Sequence, residues 1–299
     1  ATYVVVPDSF GNWSLDTGSA TPSSGTLGAF VDGQSYPVTA TVTDAAGNSS
    51  TDITTNELTI NTNVPAAPTV VSQVTNDTTP TVTGTVTLGA GETLAVTING
   101  TTYTTANGLS ITGNNWSVTL PTTPEGTYSV TATVTNAATM STTDLTSNEL
   151  VIDTTAPATP TVISQTTNDT TPVISGKATV AAGETLTVEV NGATYTVTPD
   201  SNGDWSIDTA TATPTSGTLG TFVDGQSYPV TAKVTDAAGN TASDTTNNEL
   251  VIDTTAPVAP AVIGQTTNDT TPVISGTALV APGETLTVTV NGATYTVVP

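Results

Sequence analysis

The chain has 299 residues, with 25 acidic residues against two basic ones, and it contains neither histidine nor cysteine. Without those two residue types no disulfide, thiolate nucleophile, zinc site of the usual kind or Ser-His-Asp triad can be built. The net charge of −23 argues against nucleic acid and anionic membranes as partners, because both are bound through Lys and Arg.

The composition predicts an all-β chain with several small cores. Hydrophobic residues make up 35% of the chain, with 3 Trp, 3 Phe and 7 Tyr, which suits several small sandwiches better than one large core. Thr and Val dominate and favour strands, and no window has a helical period. We find no signal peptide and no apolar run near about 18 residues, so no membrane insertion is expected in this segment.

Internal repeats are the strongest signal in the sequence. The hexapeptide TNDTTP starts at residues 75, 167 and 267, which gives spacings of 167 − 75 = 92 and 267 − 167 = 100. The segment FVDGQSYPVTATVTDAAGN at 30–48 returns at 222–240 with one change. The phrase NELVIDTTAP occurs at 148–157 and at 248–257, with a weaker copy, NELTINTNVP, at 56–65. Such periods are typical of tandem domains.

These markers predict four segments. Residues 1–61 are the C-terminal half of a domain, 62–152 and 153–252 are complete domains, and 253–299 are the N-terminal half of another. Both outer segments resemble parts of a sandwich cut in the middle, which exposes strand edges and an apolar face. We therefore expect either completion by other copies of the chain or a window on a longer polymer.

The strands of residues 153–252 follow in chain order. We predict strands at 161–165, 172–179, 185–191, 193–198, 205–207, 227–235 and 249–253, with a hairpin turn at Asn191-Gly192 and a long loop at 208–226. About seven short strands with frequent turns indicate an immunoglobulin-like Greek-key β-sandwich, repeated in tandem as a rod. Two sets of equivalent aromatic residues are expected in the cores, the alternative being a carbohydrate-stacking platform: Trp13, Trp116 and Trp205, and Tyr36, Tyr128 and Tyr228.

The phrases DTTAP, NDTTP, NG-W-S and VTDAAGN, taken together in this order, resemble one family along the whole chain. The chain is similar to the bacterial Ig-like repeats of giant, calcium-binding, type I-secreted RTX adhesins of the biofilm-associated kind. This resemblance implies an extracellular location on the bacterial surface, a role as an extender between anchor and tip, and calcium ions near domain junctions.

The acidic residues predict where calcium would bind. The linker residue Asp153 is expected to meet three loops at one pole of the domain 153–252, and those loops carry Glu184, Asp200, Asp204, Asp236 and Asn240. Calcium takes six to eight oxygens from carboxylates and carbonyls in irregular geometry, whereas magnesium demands a strict octahedron. We predict Ca²⁺ at this junction. The alternative is that these Asp and Asn residues only form turns and cap their own backbones.

The preceding junction supplies an internal control. The counterparts of Asp153, Asp204 and Asp236 there are Asn61, Asn115 and Asn136, so acids are lost together. We therefore predict a weak or empty calcium site at that junction. At the opposite pole, Asp169 and Asp253 could serve the following junction, or Asp169 could simply form an Asx-turn; the sequence leaves both readings open.

The leading functional hypothesis is a structural stalk whose partners are neighbouring repeats of the same chain, stiffened by calcium to support adhesion and biofilm formation. A second hypothesis is that the domains themselves bind a glycan or a surface. A third is a self-assembling extracellular filament whose terminal half domains complete each other between chains. An enzyme is not expected, because no His exists to activate the many hydroxyls and neither Lys lies near a catalytic cluster.

Overall fold

The computed structural model describes residues 1–297, so the last two residues of the predicted segment 253–299 lie outside it. Strands and turns make up the described part, which contains no helix, and this confirms the all-β prediction. It follows that none of these residues belongs to a helix long and apolar enough to cross a membrane. The chain divides into two compact units, Ala1–Asp153 and Thr154–Pro299.

The first unit begins with four short strands. These are β1 (Ser35–Tyr36), β2 (Thr41–Thr43), β3 (Ser49–Thr51) and β4 (Leu58–Thr59). They pair as two antiparallel ladders, β1 with β4 and β2 with β3. Thr2 and Ser24 form an isolated bridge before them.

A complete sandwich follows in the same unit. Its strands are β5 (Thr69–Val70), β6 (Gln73–Thr75), β7 (Thr81–Thr85), β8 (Thr93–Ile98), β9 (Thr101–Tyr103), β10 (Leu109–Thr112), β11 (Asn115–Thr119), β12 (Gly126–Tyr128), β13 (Val130–Thr135), β14 (Ser141–Thr143) and β15 (Leu150–Ile152). The sheet orders are β10-β11-β7-β5, β14-β13-β8-β9 and β12-β15-β6. The pairing of β15 with β6 is parallel, and the other pairings are antiparallel.

The second unit contains the other complete sandwich. Its strands are β16 (Thr161–Val162), β17 (Gln165–Thr167), β18 (Val173–Lys177), β19 (Thr185–Val190), β20 (Ala193–Val197), β21 (Asp204–Asp208), β22 (Ser216–Gly217), β23 (Ser227–Tyr228), β24 (Val230–Thr235), β25 (Thr241–Ser243) and β26 (Leu250–Ile252). The sheet orders are β16-β18-β21, β17-β26-β23 and β22-β20-β19-β24-β25. Two short hairpins end the unit: β27 (Ala261–Val262) with β28 (Gly276–Thr277), and β29 (Leu286–Val290) with β30 (Ala293–Val297).

Alternation along the strands builds a separate core in each complete sandwich. In β19 the apolar residues Leu186, Val188 and Val190 are buried while the intervening polar residues face outward, because successive side chains of a strand point to opposite faces. One core is formed within residues 70–152 and the other within residues 162–252. Trp116 and Trp205 lie in these cores, as predicted, whereas Trp13, predicted with them, is 49% exposed and lies in neither core.

Two tyrosines stabilise the backbone just upstream of their own strands, β12 and β23. The Tyr128 hydroxyl donates to the carbonyl of Pro124 at 2.8 Å, and the Tyr228 hydroxyl accepts from the amide of Val223 at 2.8 Å. Such a bond from a strand tyrosine back to the upstream backbone is a tyrosine corner, a hallmark of immunoglobulin-like sandwiches. Phe222 stacks edge-on against Tyr228 with ring centroids 4.9 Å apart.

The predicted strands of residues 153–252 are mostly present, with four differences. The predicted strand 227–235 is divided into β23, which pairs with β26, and β24, which pairs with β19 and β25 in another sheet. The predicted strand 161–165 is divided, because β16 pairs with β18 in one sheet and β17 pairs in parallel with β26 in another. The short strands β22 and β25 were not predicted, since neither has an apolar alternation of its own. The predicted hairpin turn is confirmed, with positive φ at Asn191 (45°) and Gly192 (86°).

Candidate functional site

Two of the predicted acidic loops are tight turns closed by the aspartate that begins them. The Asp200 Oδ1 accepts the amides of Asn202 and Asp204 at 2.8 and 2.9 Å. In the turn 236–240, Asp236 Oδ1 accepts the amide of Asn240 at 2.8 Å, and Oδ2 accepts its side-chain Nδ2 at 2.9 Å. The fourth residue of each turn is a glycine with positive φ, as the geometry requires.

These hydrogen bonds shift the acid equilibria of both carboxyls. The backbone amides of Asp204 and then Asn202 hold the pKa of Asp200 below its ordinary value. For Asp236, burial acts to raise the pKa, but the hydrogen bonds from Asn240 and from neighbouring amides outweigh it, so the net pKa is lowered. Both residues are therefore ionised at neutral pH, as calcium ligands must be.

The structure gathers the predicted loops at one end of the second sandwich. Thr185, next to Glu184, pairs with Thr235, next to Asp236, so these two loops are neighbours. The Glu184 carboxylate accepts the Ala181 amide at 2.7 Å, and Glu184 and Asp200 line one groove of about 530 Å³. Asp204 instead forms an ion pair with Lys177, at 2.5 Å.

The residue types at this end of the sandwich suit calcium, but several of their oxygens accept hydrogen bonds within their own turns. Carboxylate and amide oxygens are the ligands that calcium prefers. One oxygen of Asp200 and both oxygens of Asp236, however, accept N–H groups of their own turns, the alternative that the sequence left open. Among residues 1–297, no three acidic side chains form a group that could hold a metal ion.

Asp253 begins the linker at the other end of that sandwich, where its backbone hydrogen-bonds to a residue close in sequence to Asp169. The amide of Asp253 donates to the carbonyl of Thr167 at 2.9 Å, which places the linker beside the loop of Asp169. The Asp169 carboxylate accepts the amide and the hydroxyl of Thr171, an Asx-turn of the kind that the sequence allowed. In the first unit, the equivalent amide of Asp153 donates to the carbonyl of Thr75 at 2.9 Å.

Sequence reasoning missed the residues that hold the linkers to the sandwiches before them. Asp224 Oδ1 accepts the amide of Thr254 at 2.5 Å, and its Oδ2 accepts the Thr255 hydroxyl at 2.8 Å. In the first unit, Asp32 Oδ1 accepts the amide of Thr62 at 2.5 Å. The amide of Thr254 is the main cause that lowers the pKa of Asp224, and that of Thr62 lowers the pKa of Asp32. The phrase VDGQSY, which is repeated at 31–36 and 223–228 and contains both aspartates, was the sequence signal that could have identified them.

A second missed motif lies inside the sandwiches. Glu249 is buried, and its Oε2 accepts the amide of Val230 at 2.9 Å; Asp244 Oδ1 accepts the amide of Ala232 at 2.9 Å. Both acids lie in the segment between β25 and β26, where no described strand pairs with the edge of β24 that faces away from β19. Two amides of β24 therefore need side-chain acceptors, and the two carboxylates supply them. The same Asp-to-Glu spacing recurs at 52/57 and 144/149, so the repeat carried the signal.

Comparison with known proteins gives the domain type. Residues 158–254 match a family model described as bacterial Ig-like domain. None of the curated proteins compared matches the chain.

Several solved structures are similar. One, from work on a 1.5-MDa bacterial ice-binding adhesin, is 28% identical, with 72% of this chain and 73% of that chain covered and a TM-score of 0.33. The fibronectin(III)-like modules of Clostridium thermocellum CbhA are 10% identical, with 62% and 94% covered and a TM-score of 0.39. The BSP domain of a biofilm associated protein is 23% identical, with 64% and 30% covered and a TM-score of 0.22. The family match confirms, for residues 158–254, the resemblance to bacterial Ig-like domains inferred from the repeated phrases.

Proposed function

We propose that the chain is a run of non-catalytic spacer domains from a bacterial surface adhesin, located outside the cell. The observation that carries this proposal is the pair of complete sandwiches with separate cores, built from the same repeated phrases in tandem. Repeat arrays of this kind extend in one dimension, and their stability is roughly a sum over domains and junctions. The bacterial Ig-like match of residues 158–254 supports the bacterial origin.

The linkers support a spacing role. Asp32 and Asp224 each use both carboxylate oxygens on the linker that follows their own sandwich. Hydrogen bonds that involve an ionised partner are among the stronger ones in proteins. The linkers therefore leave each sandwich in a defined direction, which is what a spacer needs and an adaptable binding loop does not.

Calcium stiffening is the second part of the proposal. Asp153 is proposed to complete an oxygen-rich site with Asp236 and Asn240, and with the neighbouring residues Glu184, Asp200 and Asp204. Asp253 and Asp169 are proposed to serve the next junction. The net charge of −23 supports it, because a divalent ion offsets repulsion among carboxylates brought together. A linker carboxylate adds the ligand that the turns lack.

Calorimetric titration of the 299-residue chain with calcium in physiological salt tests the calcium component. We expect a saturable heat, with affinity lowered about tenfold or more in Asp153→Asn and in Asp236→Asn, because each removes a charged ligand. Asp208→Asn is the matched control, since Asp208 is exposed and bonds its own turn. If the three variants titrate like the wild type, calcium does not bind at Asp153.

A second candidate function, filament assembly, is favoured by the surface of residues 253–297. The ring of Trp205 covers Gly176 and would lie 2.5 Å from a Cβ added there. At the equivalent Gly276 the nearest atoms belong to the backbone of residues 261 and 262, and no ring among the described residues covers the glycine. An open groove of about 440 Å³ lies in this segment, lined by residues that include Ile274, Val288 and Tyr295. Trp13, the counterpart of Trp205, is 49% exposed against 3%.

We propose that residues 253–297 accept a segment of the kind found at 1–61, supplied by another copy or by a continuation of the same chain. Sedimentation of the 299-residue chain over rising concentration distinguishes these sources. Assembly between copies predicts association that is weakened by Trp13→Ala and retained in Phe10→Ala, whose ring is exposed in a turn. A chain that stays monomeric at high concentration contradicts assembly between copies.

A further inference from the structure

Asn63, in the linker between residues 1–61 and the sandwich that follows, is held from the preceding side. Its Nδ2 donates to Asp32 Oδ2 at 2.9 Å, while the other oxygen of Asp32 accepts the amide of Thr62. The amide of Asn63 donates to Asn61 Oδ1 at 3.0 Å. In the second unit the equivalent oxygen, Asp224 Oδ2, accepts the hydroxyl of Thr255. An amide in one linker and a hydroxyl in the other therefore donate to the same position of the aspartate.

Asn63 is also held from the following side. The Nδ2 of Asn136 donates to the Asn63 carbonyl at 2.8 Å. Asn136 is only 6% exposed, and its Oδ1 accepts the amides of Ala138 and Met140 at 2.9 and 3.0 Å. A continuous path of hydrogen bonds therefore runs from Asp32 through Asn63 to Asn136, across the junction.

The turn that carries Asn136 differs from its counterparts in a way that frees this donor. In the turns begun by Asp44 and Asp236, the second carboxylate oxygen accepts the side-chain amide of the fifth residue, Asn48 or Asn240. In the first sandwich the fifth residue is Met140, which has no such donor. The side chain of Asn136 then presents an N–H group, and this group reaches the linker.

The turn that carries Asn136 also contains a strained backbone position. Thr139 occupies the position of Gly239 and has φ = 65°, a conformation that β-branched residues rarely adopt. Such outliers persist where the surrounding structure over-determines them, often at functional positions. Here the turn retains its shape although it has lost the glycine, and that shape aims Asn136 at the linker.

We infer that the junction at residues 61–63 is locked by direct hydrogen bonds through Asn63 and needs no divalent cation. The inference rests on the proposed spacer function, since it divides the junctions into a cation-independent class and the calcium-dependent class proposed at Asp153. An aspartate at position 136 lacks an N–H donor and would turn a carboxylate toward the Asn63 carbonyl, so the asparagine is what makes this lock. Spacer stiffness at this junction then persists when calcium is removed.

Amide hydrogen exchange in the full chain, followed by NMR at Thr62 and Asn63, tests the inference. The wild-type rates should be equal in calcium and in EDTA. Asn136→Asp should raise them about tenfold or more in EDTA, because the linker loses its bond to the following sandwich. Asn63→Ala, a change in an exposed linker residue outside both cores, should raise the Thr62 rate as well.

Asn114→Asp is the matched control, because it makes the same charge change in the same sandwich. The side-chain amide of Asn114 donates to the Thr87 hydroxyl and not to the linker, so this variant should leave both exchange rates unchanged. Slower wild-type exchange in calcium than in EDTA would overturn the inference, as would wild-type rates in Asn136→Asp. Absence of calcium binding at Asp153, measured by calorimetry, would refute the proposed calcium component while leaving these exchange rates as predicted. The two claims therefore fail separately.

Discussion

A strand glycine in each complete sandwich supports the central tryptophan. A Cβ built on Gly176 would lie 2.0 Å from the Thr161 carbonyl oxygen and 2.5 Å from the Trp205 ring, and the equivalent Gly84 lies in the same way against Thr69 and Trp116. No side chain fits there, because both neighbours are held in place, one by strand pairing and one by the core. The glycine is thus required by close approach and not by an unusual φ.

Gly176→Ala should destabilise the second sandwich by about 2 kcal/mol or more, since overpacking of a fixed core forces backbone and ring to shift. Urea unfolding monitored by tryptophan fluorescence measures the change. Gly264→Ala is the control: an added Cβ there meets nothing within 4 Å, and its unfolding free energy should stay within about 0.5 kcal/mol of the wild type. Equal stability of the two variants would contradict the account of Gly176.

The buried Glu249 is a structural acceptor. Glu249→Ala should lower the unfolding free energy by about 1–3 kcal/mol, because the buried amide of Val230 loses its partner. Glu249→Gln keeps an oxygen in reach of that amide and should recover most of the loss in the same denaturation experiment. If glutamine is as damaging as alanine, the hydrogen bond is not what the glutamate contributes.

Among the elements, the linkers and turns depend on ionised aspartates. The pKa of Asp224 is lowered mainly by the Thr254 amide, relative to about 3.9 in an unfolded chain. Its contribution to stability is therefore present above about pH 4 and is lost as the pH falls through the lower, folded-state pKa. The other charged group beside it on the linker is Asp253, whose own carboxylate accepts the Thr255 amide.

An NMR pH titration should show the Thr254 amide shift following a midpoint below the ordinary value for Asp. In Asp224→Asn that transition should disappear, and the amide should exchange faster at neutral pH because a neutral acceptor binds it less strongly. A midpoint at or above the ordinary value would mean that the carboxylate does not hold the linker in solution.

Much of this element structure could be predicted from the sequence. Alternation in residues such as Leu186, Val188 and Val190 predicted both the strand and its buried face, and Asn191-Gly192 predicted the hairpin. The division of strand 161–165 could not be predicted, because pairing with two different sheets leaves no trace in a five-residue apolar pattern. Short edge strands such as β22 could not be predicted either, because two residues carry no apolar pattern and form a strand only by pairing with β20.

The roles of individual acids were harder to predict than their positions. The loops that carry Glu184, Asp200 and Asp236 could be identified because turn residues and period mark them. Whether a carboxylate faces its own turn, a linker or the core depends on the register of distant strands. Asp224 and Glu249 show this, since their partners lie 30 and 19 residues away in the chain.

At the scale of the whole molecule, the two complete sandwiches differ in one edge. In the second, the long loop after β21 adds β22 to the edge of the sheet containing β20 and buries Phe222. In the first, β10 pairs with β11 in the other sheet. The segment 1–61 shares the long-loop sequence and the bridge between Thr2 and Ser24. The array thus contains two domain variants, and we propose two classes of junction to accompany them.

The proposed calcium-stiffened spacer is tested most directly by small-angle X-ray scattering of the 299-residue chain in calcium and in EDTA. We predict a larger maximum dimension and a narrower distance distribution in calcium, because carboxylates near Asp153 are drawn to one ion instead of repelling one another. Asp153→Asn in calcium should resemble the wild type in EDTA. Superimposable scattering curves for the wild type in the two conditions would contradict the account.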